Sequence, residues 1–473
     1  MNQKVLWRGI AAYITIFFVF CTTSNVYGSG FAVYTQGASA LGQADAVIAH
    51  ADDPSAIFFN PALINKLEGT QIELGTTLLF PSQEFESAAT GNSSGTENRV
   101  FYPPTIFVTY KFNDKISAGL GIFSPFGLGI DWGNSWEGRY IATDSELKTF
   151  NFNPVVSYKV TPDFTFAAGV DFLLLDTTLK KRLNLSGLAS AVPGLGLPAG
   201  LPDGRQKFKG DGNGVGYNFG ILYDINKDIS FGASYRSEIK VGIDGDATFA
   251  LPSPSLGAIF PNTPGNSHIT LPRVVQAGVA YKGFNRLTLE TGMRWEGWSS
   301  FKELRINLDK PVLGSTTSIT KKNWHDVYSA NLGAKYQLND TVALLAGYLY
   351  GGDPVPDKTF DPVVPDAPTH LFTVGTNIKY KNTRIDLAYG YQLLEGRSKN
   401  NTVTDPFNPS NNANGKYDTD IHMIGFSLTY RLQRSENPPP LFPATPTCRP
   451  KLFVANATSR PISCARPKRL PDS

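Results

Sequence analysis

From residue 70 to residue 432, apolar side chains recur at every second position. Ile424, Phe426, Leu428 and Tyr430 alternate with Gly425, Ser427, Thr429 and Arg431. Phe372, Val374, Ile378 and Tyr380 repeat the pattern, as do Tyr217, Phe219, Ile221 and Tyr223, and Ile72, Leu74, Leu78 and Phe80. A period of two is the mark of a β-strand with one apolar face. The connections add a second constraint. Short turns at Asn113-Asp114, Thr161-Pro162-Asp163, Asn226-Lys227-Asp228, Gly283-Phe284-Asn285, Asn339-Asp340 and Lys381-Asn382 alternate with long connections. The long ones lie around 86–99, 131–145, 186–205, 251–270, 303–321, 352–368 and 396–416. Six short and seven long connections predict fourteen strands. An even number of strands with one short-turn side and one long-loop side is the outer-membrane arrangement, the long loops being extracellular.

A soluble β-sandwich alternates too. Here, however, the polar face is rich in Gly, Ser, Thr and Asn, and aromatic residues gather toward strand ends. That suits a lipid-facing apolar band, aromatic girdles and a polar interior. Charged residues make up only 18% of the chain, below the ~25% of ordinary soluble domains. Past residue 28 no apolar run approaches the ~20 residues of a membrane helix. The expected fold is therefore all-β: a fourteen-stranded antiparallel transmembrane β-barrel.

The ends of the chain read differently. Lys4 and Arg8 precede the apolar run Ile10–Cys21, and Val26-Tyr27-Gly28 supplies a cleavage site, so residues 1–28 read as a secretory signal peptide. Residues 433–473 hold nine prolines with seven basic and two acidic residues, which reads as a disordered tail. A net charge of +3 makes no case for nucleic acid. Cys448 and Cys464, the two cysteines left after residue 28, cannot build a disulfide framework or a metal cluster.

Residues 29–69 are too apolar to be a linker. Asp53-Pro54 reads as a helix N-cap followed by proline at the first helical position, and Asn60-Pro61-Ala62 as its stop after two turns. A helical plug ahead of a barrel (70–432) suggests a lumen closed from inside. This stretch resembles the N-terminal hatch of the FadL/TodX (OMPP1) family of outer-membrane transporters of hydrophobic compounds. The resemblance continues through Phe126-Gly127-Leu128-Gly129 and Trp136-Glu137-Gly138-Arg139-Tyr140. It implies a gate made of Ser29, Gly30, Phe31, Asn60, Pro61 and Ala62, with the mature N-terminus moving when ligand binds. Packing for stability alone is the plainer alternative.

Three further features bear on transport. Ser124, Pro125, Phe126 and Gly127 interrupt the third strand; proline removes a ladder donor and glycine permits a bend. The resemblance makes this a kink that opens the wall sideways, where an ordinary strand end is the alternative. The loops LNLSGLASAVPGLGLPAGL (183–201) and LPSPSLGAIF (251–260) are apolar for extracellular loops. Leu188, Val192, Leu195, Leu256, Ile259 and Phe260 are thus candidate substrate contacts, against simple loop-on-loop packing. Arg139 offers a bidentate fork to a substrate carboxylate, with a solvated rim charge as the alternative. Five scattered histidines without metal-ligand spacing give catalysis no support, and no cofactor or metal is implied.

The resemblance and the residues together predict a monomer of the Gram-negative outer membrane, exported by the Sec pathway and surrounded by lipid and lipopolysaccharide. Its function would be passive uptake of hydrophobic molecules. Long-chain fatty acids lead as substrates and monoaromatic hydrocarbons follow. A water-filled porin is the reading from another class.

Overall fold

A computed structural model describes residues 30–198 and 200–432. The signal-peptide reading, Ser29 and the reading of the 433–473 tail fall outside those residues. Twenty sheet segments make one antiparallel sheet. Ser93–Gly95 is only a return onto the first strand, and five strands are each written in two pieces, which leaves fourteen. These are β1 (Thr70–Ser87), β2 (Pro104–Lys111), β3 (Ile116–Phe123 and Gly127–Asp131), β4 (Asp144–Lys159), β5 (Phe164–Leu183), β6 (Gly204–Asp224) and β7 (Ile229–Arg236 and Ile239–Ala250). They continue as β8 (Thr263–Leu271 and Val274–Phe284), β9 (Leu287–Glu296 and Glu303–Val312), β10 (Ser315–Lys321 and Val327–Gln337), β11 (Val342–Gly351), β12 (Thr369–Tyr380), β13 (Thr383–Lys399) and β14 (Gly415–Leu432). The sheet closes because β14 pairs with β1 in unbroken register, from Thr70↔Leu432 to Ser87↔Gly415. Closure leaves no strand edge to face lipid.

The alternation turns the usual rule inside out. In β12, Phe372 and Val374 are more than half exposed while Thr373 and Asn377 are buried. In β4, Phe150, Phe152, Val156 and Tyr158 face outward, and Thr149, Asn151, Asn153 and Ser157 face inward. The apolar face is the lipid face, so the chain's polar side chains become its interior. Tyr110, Phe112, Tyr158, Tyr223, Tyr336, Tyr380 and Tyr430 are exposed together on the side of the short turns. Their rings supply the girdle expected at that membrane boundary.

All six short turns occur where the sequence places them, but two long connections do not: residues 263–270 of the 251–270 connection already pair with β7. Residues 303–321 form a hairpin, with Leu304 opposite Thr320 and Ile306 opposite Ser318, closed around Leu313-Gly314. Both turn residues have positive φ, 51° and 80°, a primed hairpin turn in which Asn or Gly is usual at both positions. Leucine at the first position hides the turn from the sequence. Lys321 ends the first piece of β10.

Residues 30–67 lie inside the barrel. The Ala38 amide donates to Ser427 on β14, the Ile48 and Ala49 amides to Glu290 on β9, and Asn60 donates to the Ile221 carbonyl on β6. Ser157 on β4 donates to the Ala62 carbonyl and Asn331 on β10 to that of Ala44. One segment can meet strands all around a cylinder only from within. The local structure differs from the expected two-turn helix. Helix α1 (Ala38–Leu41) and helix α2 (Ala56–Phe59) are each a single turn, and Ser55 stands at the α2 N-cap position. Asp53 instead accepts from the Ser55 amide at 3.0 Å. Asn60 ends α2 and then accepts from Ala62 N, which starts a 3-10 helix over Pro61–Lys66. The Asn-Pro-Ala stop is therefore also a start.

Candidate functional site

The interruption of β3 organises the site. Its first piece pairs with both β2 and β4, but the ladder to β2 ends at Ile106↔Ile122. The second piece pairs with β4 alone, from Gly127↔Lys148 to Asp131↔Asp144. The N-terminal segment supplies backbone bonds where the strand breaks. Val33 donates to the Pro125 carbonyl at 2.8 Å, and Gly127 donates to the Phe31 carbonyl at 2.9 Å. Ala32 and Phe126 form the bridge between them.

Phe31 enters a group of aromatic rings. Its ring lies 4.7 Å from Trp298, 5.7 Å from Trp324, 6.1 Å from Phe301 and 6.2 Å from Phe126, centroid to centroid. Gly30 takes a φ of +61°, and a Cβ there would stand 2.7 Å from the Trp324 ring. Glycine is required on both counts. Its amide donates to Asp366 Oδ2 at 2.8 Å in the 352–368 loop. Burial, reinforced by neighbouring Asp353, pushes the Asp366 carboxyl well above its ordinary range.

A cavity of about 770 Å³ begins at these residues. Leu349, Leu371, Leu394 and Met423 give it an apolar wall on β11 to β14. It reaches the barrel wall between Val100–Pro104 on one side and Ser124 with Gly127–Gly129 on the other. Phe101 packs where a side chain at Gly129 would stand. The volume falls in the range of sites that enclose a small organic ligand.

The sequence candidates divide around this cavity. Gly30, Phe31, Ser124, Phe126 and Gly127 line it. Pro125 meets the N-terminal segment through its carbonyl. Asn60, Pro61 and Ala62 are buried elsewhere, where Asn60 Nδ2 donates to the carbonyls of Ile48 and Ile221. Among the outer-loop residues, Leu188, Leu256 and Phe260 are buried in one cluster with Leu183 and Leu185, and Ile259 packs against it. Leu185–Ala191, helix α3, carries Leu188 into that cluster. Val192 and Leu195 remain exposed. Arg139 is held by Asp203 at 3.1 Å and Tyr140 at 2.7 Å and does not line the cavity.

Sequence reasoning missed Arg294. It lines the cavity with its Cζ 3.3 Å from the Tyr34 ring centroid. Parity on β9 was the available signal, since Glu290, Arg294 and Glu296 share the inward face and all three are buried. It also missed the clamp between segment and wall. Arg384 on β13 bonds Asp52 at 2.9 Å, Asp53 at 2.8 Å and Asp386 at 2.7 Å, and Lys335 on β10 bonds Asp52 at 2.8 Å.

The family model described as "Outer membrane protein transport protein (OMPP1/FadL/TodX)" matches residues 19–432. A long-chain fatty acid transport protein of Escherichia coli O6:H1 is 25% identical over 421 residues, which cover 83% of this chain and 92% of the relative. A putative outer membrane protein of Neisseria meningitidis is 26% identical over 450 residues, 87% of this chain and 96% of the relative. Among solved structures, a Pseudomonas aeruginosa FadL homologue superposes with a TM-score of 0.76 at 21% identity, covering 85% of this chain and 99% of the homologue. The P. putida toluene transporter TodX superposes at 0.67 and 19% identity, covering 84% and 99%.

Proposed function

This chain belongs to the outer membrane protein transport family (OMPP1/FadL/TodX), and from that premise we propose that it takes up long-chain fatty acids passively across the outer membrane. The observation that carries the proposal is the position of the cavity. It runs from the Phe31 end of the N-terminal segment to the β3 interruption, so one space touches both that segment and the wall. In this reading the exposed Val192 and Leu195 meet substrate first. Substrate then occupies the cavity, Phe31 withdraws from its aromatic neighbours, and the hydrocarbon leaves between Val100–Pro104 and Gly127–Gly129. Sideways exit keeps the tail out of water, a saving of ~25 cal/mol per Å² of apolar surface. The E. coli relative is a long-chain fatty acid transport protein and TodX a toluene transporter. The apolar wall is spread over four strands, β11 to β14, which favours a chain over a single ring, so monoaromatic hydrocarbons come second.

Labelled oleate uptake by cells lacking their own transporter tests the assignment. Uptake that depends on this protein is expected; toluene uptake without oleate uptake moves the chain to the aromatic branch. A porin predicts something else. The intact barrel in planar bilayers is expected to show little steady conductance, and deletion of residues 29–66 to raise it. Large stable channels from the intact protein would reject the plugged transporter.

A further inference from the structure

The outward face of β5 and β6 changes character along its length. The ladder between the two strands runs from Phe164↔Tyr223 to Leu183↔Gly204 without a shift, so one face can be followed from end to end. Its pairs are Phe172↔Val215, Leu174↔Asn213, Asp176↔Asp211, Thr178↔Lys209, Lys180↔Lys207 and Arg182↔Arg205. Phe172, Leu174 and Val215 are exposed and belong to the apolar band. Toward the long-loop side, five of the last six side chains on this face are cationic. Leu173, Leu175, Leu183 and Phe208, at the alternate positions, are buried, which keeps the cations on the outside.

These cations are short of carboxylates. Lys180 pairs with Asp144 at 2.8 Å, but Asp144 also serves Arg99. Arg182 lies 3.8 Å from Asp203, which also serves Arg139. Arg205, Lys207 and Lys209 have no ion pair among the described residues, although Asp246 on β7 stands opposite Lys209 in register. Asp176, Asp211 and Asp244 make an acidic rung on the side nearer the lipid. Beyond it, Lys180 directly faces Lys207 and Arg182 faces Arg205. Like charges directly opposite one another destabilise a sheet. An anion lying between them turns that repulsion into charge-assisted hydrogen bonds to both sides.

Position selects the anion. The cations continue the lipid-facing surface, and none of them lines the lumen cavity. A strand rises about 3.4 Å per residue and tilts by ~40°, which sets Lys209 roughly 10 Å above the Leu174 rung. Its stem can snorkel down to the head groups of the outer leaflet. We propose that Lys180, Arg205, Lys207 and Lys209 bind the phosphorylated sugar head of an outer-leaflet glycolipid, lipopolysaccharide, on the outside of the barrel. Phosphate oxygens bridge the facing cations, and the acyl chains lie along Phe172, Leu174 and Val215. The site stands apart from the transport reading. Because β5 and β6 carry the 183–201 loop between them, a bound glycolipid anchors the base of that loop.

The test is equilibrium binding to the full-length protein in detergent, measured by microscale thermophoresis. The probes are deep-rough lipopolysaccharide, the same lipid dephosphorylated, and phosphatidylglycerol. The phosphorylated glycolipid is expected to bind at least tenfold more tightly than the other two. Lys207→Gln with Lys209→Gln should weaken it about tenfold, the scale of two cations at an anionic head group. Lys310→Gln with Lys358→Gln removes the same charge from exposed positions elsewhere on the long-loop side, and should leave affinity unchanged. Heat-modifiable gel mobility reports folding, and Arg205→Gln alone carries the comparison if the first pair fails to assemble. Wild-type affinity in a folded variant of the row overturns the site. Equal losses in the two double variants reduce it to net charge and overturn it as well. Equal affinity for the dephosphorylated lipid or for phosphatidylglycerol rejects a phosphorylated sugar as the occupant.

Discussion

An Arg384→Met barrel is expected to leak. Arg384 is 7% exposed at its side chain and bonds three carboxylates at once, two of them on the plug. Removing it leaves Asp53 and Asp386, both nearly fully buried, without their cation. Breaking a buried charge pair from one side costs about 3–5 kcal/mol. The barrel itself does not depend on this residue, because β13 keeps its full ladders to β12 and β14. The strain therefore falls on the loop around Asp52 and Asp53, where Lys335 at 2.8 Å and Lys379 at 3.7 Å still pair with Asp52 but Asp53 has lost its cation. Open-state conductance in planar bilayers should rise several-fold over wild type, with heat-modifiable gel mobility unchanged. Adding Asp386→Leu removes one stranded charge and should lower the leak again. If Arg384→Met stays as tight as wild type, the plug is held by its backbone bonds to β4, β6, β9, β10 and β14, and the clamp is dispensable.

The fold was largely readable because lipid enforces one rule on every strand. Each must present an apolar face outward, so alternation at Phe372 and Val374 or at Ile424 and Phe426 marks strands wherever the bilayer reaches. The rule weakens above the membrane. Leu304, Ile306 and Leu308 alternate with Arg305, Asn307 and Asp309, yet two of the three polar partners are charged, and Leu313 gives no turn signal. The β3 interruption was legible through Pro125 and Gly127, residues with direct backbone consequences. The site was legible in outline only. Phe31 shows in the sequence as one apolar residue among many; its importance comes from Trp298, Trp324 and Phe301, which lie more than two hundred residues away in the chain. Arg139 stands out within an aromatic motif, whereas Arg294 sits in an ordinary strand run. Which of the two lines the cavity depends on how the distant strands close around it, and that is not a local property of the sequence.

Gly127→Val and Ser124→Trp are expected to stop transport without harming the barrel. Both positions line the cavity where it reaches the wall. A Cβ at Gly127 would meet Val33 at 3.3 Å, a side chain of the plug that can shift, and the Leu147 carbonyl only at 3.9 Å. The Gly127↔Lys148 pairing can therefore survive the added methyls. Ser124 contributes its carbonyl to Gln36 at 2.7 Å, a bond that its side chain does not make and tryptophan can keep. Among the described residues, the backbone here is the only part of β3 bonded to the N-terminal segment in place of β2. A substrate that leaves sideways must pass it, while one that leaves through the plug need not. Uptake of labelled oleate, normalised to folded protein at the cell surface, should fall about tenfold or more, equivalent to ~1.4 kcal/mol on the passage step. Binding of oleate to the purified variants should persist, since the apolar wall of Leu349, Leu371 and Met423 is untouched. Lost binding would mean that the two substitutions fill the cavity itself. Wild-type uptake by folded variants would make the interruption an ordinary strand end and send the substrate out past the plug.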